Sequence, residues 1–397
     1  MSEKQLSIGE KWEADLESAR NGAKILVSAP QCERCAHYVK GDAMHCAKYT
    51  KETKPRHVMF TKKECVFFES TEPLKISLSN DAENKIYGGI FGFITADALG
   101  VPVEFSSRQE RNTDPVKEMR AYGTYHQPFG AWSDDSSLML CLIDAFNHGF
   151  SVEKLKNNMI RYYTDGAFTP EDKMFDIGMG TANAIQKMIR GVPATECGGN
   201  GERDNGNGSL MRILPLGFVS PFVAQSELLT LSNAVSSLTH RTVRSQLACY
   251  FYSVFAGQLF EGRNLNEAYD AAILAVKNES SHYFDSEKLT FRDVLHKSVI
   301  KLDRRRIRSS GYVVDTLEAV LWALFNTKSY EEAVLAAVNL GEDTDTIAAL
   351  TGGLAGIYYG FDQIPQRWIQ TLLKKEMIAD MTGEFAKYVQ HLKQSGK

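Results

Sequence analysis

Apolar residues recur at helical spacing through most of this chain. After Arg241, Val243, Leu247, Tyr250, Phe251, Val254, Phe255 and Leu259 share a period near 3.6. Val313, Leu317, Val320, Leu321 and Leu324 repeat the pattern, as do Val152, Leu155, Met159 and Tyr162. From Ile86 onward one helical segment follows another, and alternating strand patterns are scarce. The longest structureless stretch is Gly191–Ser209, GVPATECGGNGERDNGNGS, and a loop of that length in a compact domain is more often functional than idle. Up to about residue 80 no helical period is sustained, and short segments are broken by Gly, Pro and Lys. The pattern predicts a small N-terminal module, residues 1–80, and an all-α domain, residues 81–397, divided near SLSNDAENK.

Composition narrows the class. With 397 residues, 43% hydrophobic and 24% charged, the chain can bury a large core. A formal net charge of -4 without a dense Lys/Arg cluster gives no footprint for nucleic acid. The polar opening MSEKQLSIGEKWEADLESAR is not a secretory signal, and no apolar run reads as a membrane span, so a cytoplasmic monomer is expected. Four of the seven cysteines, Cys32, Cys35, Cys46 and Cys65, crowd the N-terminal segment. In a reducing compartment that spacing predicts a structural Zn2+, with His37, His45 and His57 as substitute ligands and an iron–sulfur cluster as the other four-thiolate solution. Cys141, Cys197 and Cys249 are scattered and read as ordinary thiols.

Carboxylates mark two helix starts. In GAWSDDSSLMLCLIDAF, Ser133 is a good N-cap, and Asp134 and Asp135 in the first turn suit the positive end of the helix dipole; capping alone would account for them. In GEDTDT, Asp343, Asp345, Thr344 and Thr346 precede the apolar Ile347–Tyr359 run, which is more oxygen than a cap needs. Buried carboxylates without counter-charges are costly, and a divalent cation is their simplest partner. Oxygen donors without neighbouring Cys or His suit Mg2+ or Mn2+ rather than zinc. A third segment, GGIFGFITADALGVPVEF, is a small-residue helix able to approach another backbone closely, with Glu104 just beyond; that glutamate could equally be solvated.

In order along the chain, GIFGFITADALGVPVEF, GAWSDDSSLML, GNGSLMRILPLGF and GYVVDTLEAVLWAL…NLGEDTDTIAALTGGLAGIYYG resemble the motifs of the ADP-ribosylglycohydrolase family, which includes bacterial dinitrogenase reductase-activating glycohydrolases. The resemblance spans roughly residues 85–365 and omits the cysteine-rich segment. It implies an all-α fold and two adjacent Mg2+ or Mn2+ ions held by Ser133, Asp134 and Asp135, where threonine is usual in place of Ser133, and by Asp343, Asp345 and Thr346. It further implies a mobile glutamate at Glu104, an ADP-ribose cradle at Asn207, Gly208 and Ser209, ligand contacts from His240 and Tyr312, and Asp176 of FDIG near the scissile bond. His240 and Tyr312 read equally well as core residues.

The activity so implied is hydrolysis of the N- or O-glycosidic bond joining ADP-ribose to a modified residue of a protein or to a small molecule, with ADP-ribosyl-arginine expected first. Glu104, Asp134 and Asp345 are the expected catalytic groups. The alternatives are ADP-ribosyl-serine or O-acetyl-ADP-ribose hydrolysis, and a non-catalytic ADP-ribose-binding protein. The retained acids argue against the last.

Overall fold

The structure, a computed structural model, describes residues 73–279 and 281–395. The chain divides into two compact units, Met1–Leu74 and Lys75–Lys397. The cysteine-rich segment, with Cys32, Cys35, Cys46 and Cys65, lies outside the described residues.

Helices and short 3-10 turns make up the second unit; the only β pairing among the described residues is three isolated bridges. The longer helices are α1 (Asp81–Gly100), α2 (Asp134–Asn147), α3 (Val152–Asp165), α4 (Met179–Ile189), α5 (Gln225–Ser237), α6 (Val243–Phe260), α7 (Leu265–Lys277), α8 (Val313–Phe325), α9 (Tyr330–Val338), α10 (Thr344–Tyr359) and α11 (Lys375–Gln394). The periodic segments found in the sequence thus become α3, α6 and α8, while GEDTDT and SDD fall at the starts of α10 and α2. The Gly191–Ser209 stretch has one 3-10 turn, Ala194–Glu196, and is otherwise without helix.

Helix α1 starts cleanly because the Asn80 side chain accepts from the Glu83 amide at 2.9 Å. It is buried from Gly88 to its end, all round, and so is α10 over most of its length. Counted with the turn that follows, Asp81–Val103 is long and apolar enough to cross a membrane, at a mean hydropathy of 1.5, which corrects the expectation that no segment would be. Burial explains the composition: 94% of that window lies inside the protein, so it reads as a central core helix.

Helices α1 and α10 meet backbone to backbone. A Cβ on Gly92 would lie 2.5 Å from the Gly352 carbonyl oxygen, and one on Gly352 would lie 2.4 Å from that of Gly92. At the end of α1, a Cβ on Gly100 would stand 2.4 Å from the Asp345 Cα and 2.6 Å from the Thr344 carbonyl oxygen, and the Thr344 hydroxyl donates to the Gly100 carbonyl at 2.8 Å. The three nearest atoms at Gly100 are all main chain, so no side-chain rotation relieves the contact. Gly100→Ala is therefore expected to cost stability at the upper end of the ~1–3 kcal/mol typical of overpacking, and to displace Asp345. Chemical denaturation checks this; wild-type stability in the variant would mean that the α1–α10 contact is looser than described.

Candidate active site

The α1–α10 seam brings three chain segments to one place. The end of α1 leads through the 3-10 turn Val101–Val103 to Glu104, while the starts of α2 and α10 point at the same region. They line one face of a cleft of about 590 Å³, to which Glu104, Asp134, Asp135, Asp176, Asp343, Asp345 and Thr346 all contribute. Asn207, Gly208, His240 and Gly311 line the same cleft, with Asn207 and Gly311 next to Asp343. A larger depression of about 850 Å³, near Asn80 and Lys393, has no comparable convergence of acids.

Hydrogen bonds separate capping from other work at the two helix starts. Ser133 does cap α2, its hydroxyl accepting from the Asp135 amide at 3.2 Å. The carboxylates do not cap. Asp134 accepts from the Gly178 amide at 3.2 Å, and Asp135 accepts from the hydroxyls of Ser133 at 2.9 Å and Thr346 at 3.3 Å. At α10 the N-cap residue is Asp343, yet its side chain makes no cap bond; it accepts from the Asn207 amide group at 2.6 Å. Thr346 and Asp135 touch although 211 positions separate them.

The fold also fixes Glu104. Phe105 and Glu342, both non-glycine residues at φ 63, sit in the left-handed region. The Phe105 amide donates to the Glu342 carbonyl at 2.7 Å, and the Glu342 amide to the Ser106 carbonyl at 2.7 Å. This clasp ties the residue after Glu104 to the residue before Asp343. Strained backbone of this kind persists only where surrounding contacts hold it, and such positions gather at functional sites.

The electrostatics are one-sided. Burial, then the charge of Asp176, pushes Glu104 up to about 8, and burial pushes Asp176 up to about 6. Asp134, Asp135 and Asp345 are driven well above the usual carboxylate range by burial and then by one another and their acidic neighbours; Asp343 is raised too, by burial first. No cation is among the leading causes acting on these groups. The buried Arg212 donates instead to the carbonyls of Gly208 and, at 2.9 Å, Val235. Two buried oxygens of this cluster, Asp135 Oδ1 and Glu104 Oε2, have no hydrogen-bond partner among the described residues. Asp97, Asp135 and Asp345 bring ligand atoms within 4.8 Å of one another, and so do Glu104, Asp343 and Asp345. Hard oxygen donors, orphaned acceptors and missing counter-charge are the surroundings that a divalent cation fits.

The cradle face is held by backbone pairing. Asn207 N donates to the Gly311 carbonyl at 3.0 Å, Val313 N to Asn205 at 3.0 Å and Gly199 N to Thr239 at 3.1 Å. Gly208 packs on the His240 ring: a Cβ there would stand 2.7 Å from His240 Cε1. His240 is buried beside the Thr239 hydroxyl at 2.9 Å, and burial, then Arg212, pulls it down to about 3, so the imidazole is neutral.

Not every residue expected from the resemblance reaches the cleft. Ser209 points into the core, where its hydroxyl accepts from Ser236 at 2.9 Å and Cys249 at 3.4 Å, so its side chain does not face the cleft. Ser133 is buried, and Tyr312 does not line the cleft; the Arg244 guanidinium lies 5.8 Å from its ring centroid. Three residues went unnoticed in the sequence. Tyr125 faces Glu104 and Asp176 from an irregular segment that offers no period. Arg212 supports the cradle. Asp97, 0% exposed in the last turn of α1, left one signal: an acid inside the apolar run that follows Ile86.

Comparison with known proteins places the chain in a family. The family model described as ADP-ribosylglycohydrolase matches residues 78–395. The chain is 30% identical over 321 residues to "ADP-ribosylarginine hydrolase Tri1" of Serratia proteamaculans (strain 568), covering 79% of this chain and 82% of that protein. It is 27% identical to "ADP-ribosyl-[dinitrogen reductase] glycohydrolase" of Rhodospirillum rubrum, over 73% of this chain and 90% of that one. A solved structure described as an "ADP-ribosylglycohydrolase-related protein complex" superposes with a TM-score of 0.63 at 27% identity, covering 78% of this chain and 99% of the other. The matched span takes in both acidic helix starts, the cradle and Glu104, and the chain therefore belongs to the ADP-ribosylglycohydrolase family of glycosidic-bond hydrolases.

Proposed function

We propose that this chain removes ADP-ribose from modified arginine, using divalent cations held between the starts of α2 and α10. The observation that carries the reading is the convergence of the buried Asp134, Asp135 and Asp345 and the half-buried Asp343 in one cleft wall, with no cation among the described residues to balance them. Asp134, Asp135, Asp343, Asp345 and Thr346 would hold Mg2+ or Mn2+, with Ser133 supporting Asp135 from below. Bound there, the ions would supply Lewis acidity and a template for the distal ribose.

The chain's own groups do the rest. The glycine-lined cradle at Asn207 and Gly208 lets backbone approach the pyrophosphate closely, as only residues without bulky side chains permit. Glu104, whose Oε2 has no hydrogen-bond partner among the described residues and whose carboxyl is pushed up by burial and then by Asp176, is placed to give a proton to the departing group. Asp176 adds negative charge where positive charge develops on the sugar. The neutral His240 orients the cradle without repelling a metal or competing for the phosphates.

Arginine as the linked residue is supported by the two relatives named "ADP-ribosylarginine hydrolase Tri1", each 30% identical to this chain. Hydrolysis of ADP-ribosyl-serine or O-acetyl-ADP-ribose is the competing specificity. Incubating the protein with ADP-ribosyl-arginine and ADP-ribosyl-serine peptides, in Mg2+ and in EDTA, tests both points. Free ADP-ribose should appear from the arginine peptide in Mg2+ only. Preference for the serine peptide would overturn the specificity, and full activity in EDTA would overturn the metal reading.

A further inference from the structure

At the start of a helix, the amides of the first turn lack intrahelical partners, and acids in that turn ordinarily fold back to accept from them. In α2 this does not happen. The Ser133 hydroxyl takes the Asp135 amide, and the next one, that of Ser136, is taken from outside by Asp97 of α1 at 3.1 Å. Asp97 also accepts from the Ser133 amide at 3.0 and 3.2 Å and from the Ser136 hydroxyl at 2.5 Å. Its two oxygens are therefore occupied by three donor groups, two amides and a hydroxyl. With those amides satisfied, Asp134 and Asp135 are released toward the cleft, and Asp135 Oδ1 is left without a hydrogen-bond partner among the described residues.

Position adds a second argument. Asp97 and Gly100 stand three residues apart on α1, on one face. Asp97 grips the start of α2, and Gly100 abuts the backbone of Thr344 and Asp345 at the start of α10. One turn of one helix thus sets the spacing of both carboxylate pairs. Carboxyl oxygens of Asp97, Asp135 and Asp345 fall within 4.8 Å of one another, but those of Asp97 are already engaged by protein donors. Its role is to hold the ligands, not to be one.

We propose that Asp97 is a positioning residue of the cation site: by capping α2 from another helix it frees Asp134 and Asp135 to bind metal. The proposal rests on the metal reading above. Asparagine at this position would present an NH2 group to amide or hydroxyl donors, so Asp97→Asn loses at least one contact without changing the volume. Partners one layer behind metal ligands typically affect affinity by about 10–100-fold.

The test is a titration of the full chain with Mn2+, followed by loss of the free-ion paramagnetic resonance signal, alongside melting curves in EDTA. Asp97→Asn should weaken Mn2+ binding by about tenfold or more. Ser136→Ala removes a single hydroxyl donor, leaves the carboxylate in place and should fold; it should weaken binding by a few-fold, with little change in the EDTA melting temperature. A cap of purely structural importance would lower melting of the metal-free protein and leave Mn2+ affinity as in wild type. Wild-type affinity in folded Asp97→Asn, or in Ser136→Ala should Asp97→Asn not fold, overturns the positioning role. A wild type that binds no Mn2+ overturns the metal reading, and the role with it.

Discussion

Replacing Asp345 with Asn is expected to cut hydrolysis by about 10²-fold or more while leaving the metal-free protein no less stable than wild type. The size of the loss follows from position: partners behind a metal ligand already cost about 10–100-fold, and Asp345 stands in front of them. The stability result follows from charge. Asp345 is buried against Glu104, Asp135, Asp343 and Asp176, each of which pushes its carboxyl further above the usual range. Removing that charge relieves repulsion. The contact Asp345 Oδ1 accepts, from the Thr346 amide at 2.9 Å, is one that the asparagine oxygen can keep. A side chain that merely capped α10 would give the reverse: unchanged activity and a loss on the order of 1 kcal/mol. Melting curves and hydrolysis assays, each in Mg2+ and in EDTA, separate the two.

Burial, with that repulsion added at Glu104 and Asp176, predicts how metal-free wild type responds to pH. Glu104 is raised from 4.5 to about 8, and Asp97 and Asp176 from 3.8 to about 6. A group whose folded pKa is raised binds its proton more tightly in the folded state, so its contribution is complete below the unfolded pKa and is lost as pH climbs through the folded one. Metal-free protein should therefore lose stability between about pH 4 and 8, and Mg2+ should flatten that slope.

Glu104→Gln is expected to lower turnover by about 10²–10⁴-fold, the range that positioned acid–base groups supply, with ADP-ribose binding changed much less. Glutamine keeps the shape of the side chain and its place in the clasp between Phe105 and Glu342, which is made of main chain. What it loses is a transferable proton on a group that is 9% exposed and has one oxygen without a hydrogen-bond partner among the described residues. Single-turnover hydrolysis together with ADP-ribose titration measures both halves. Turnover close to wild type would reduce Glu104 to a wall of the cleft.

Much of the helical framework could be read from the sequence because burial writes its period there. α3, α6 and α8 show an apolar face or a continuous apolar run, and the small residues of α1 point to a close approach to another backbone. The acidic helix starts were legible as chemistry but ambiguous in purpose; only the hydrogen bonds, with Ser133 capping and Asp134, Asp135 and Asp343 not, separate the two uses. Asp97 and Tyr125 were not found. An aspartate inside an apolar run has no periodic signature, and Tyr125 lies in a segment whose course is set by positive φ at Tyr122, Gly123 and His126 and not by apolar pattern. Ser209 shows what a motif leaves open: its hydroxyl turns into the core toward Ser236 and Cys249. A motif specifies neighbourhood, while side-chain direction depends on which turn the residue occupies.

The central claim is that two helix starts, set by one glycine-lined seam, hold a pair of cations in a wall of buried carboxylates. The most direct measurement is anomalous diffraction at the manganese edge from crystals grown with Mn2+. The account predicts two peaks between the starts of α2 and α10, ligated by Asp134, Asp135, Asp343, Asp345 and Thr346, with Asp97 behind them and outside the coordination sphere. Absence of anomalous density at this cluster, in crystals of protein that hydrolyses ADP-ribosyl-arginine, would contradict it.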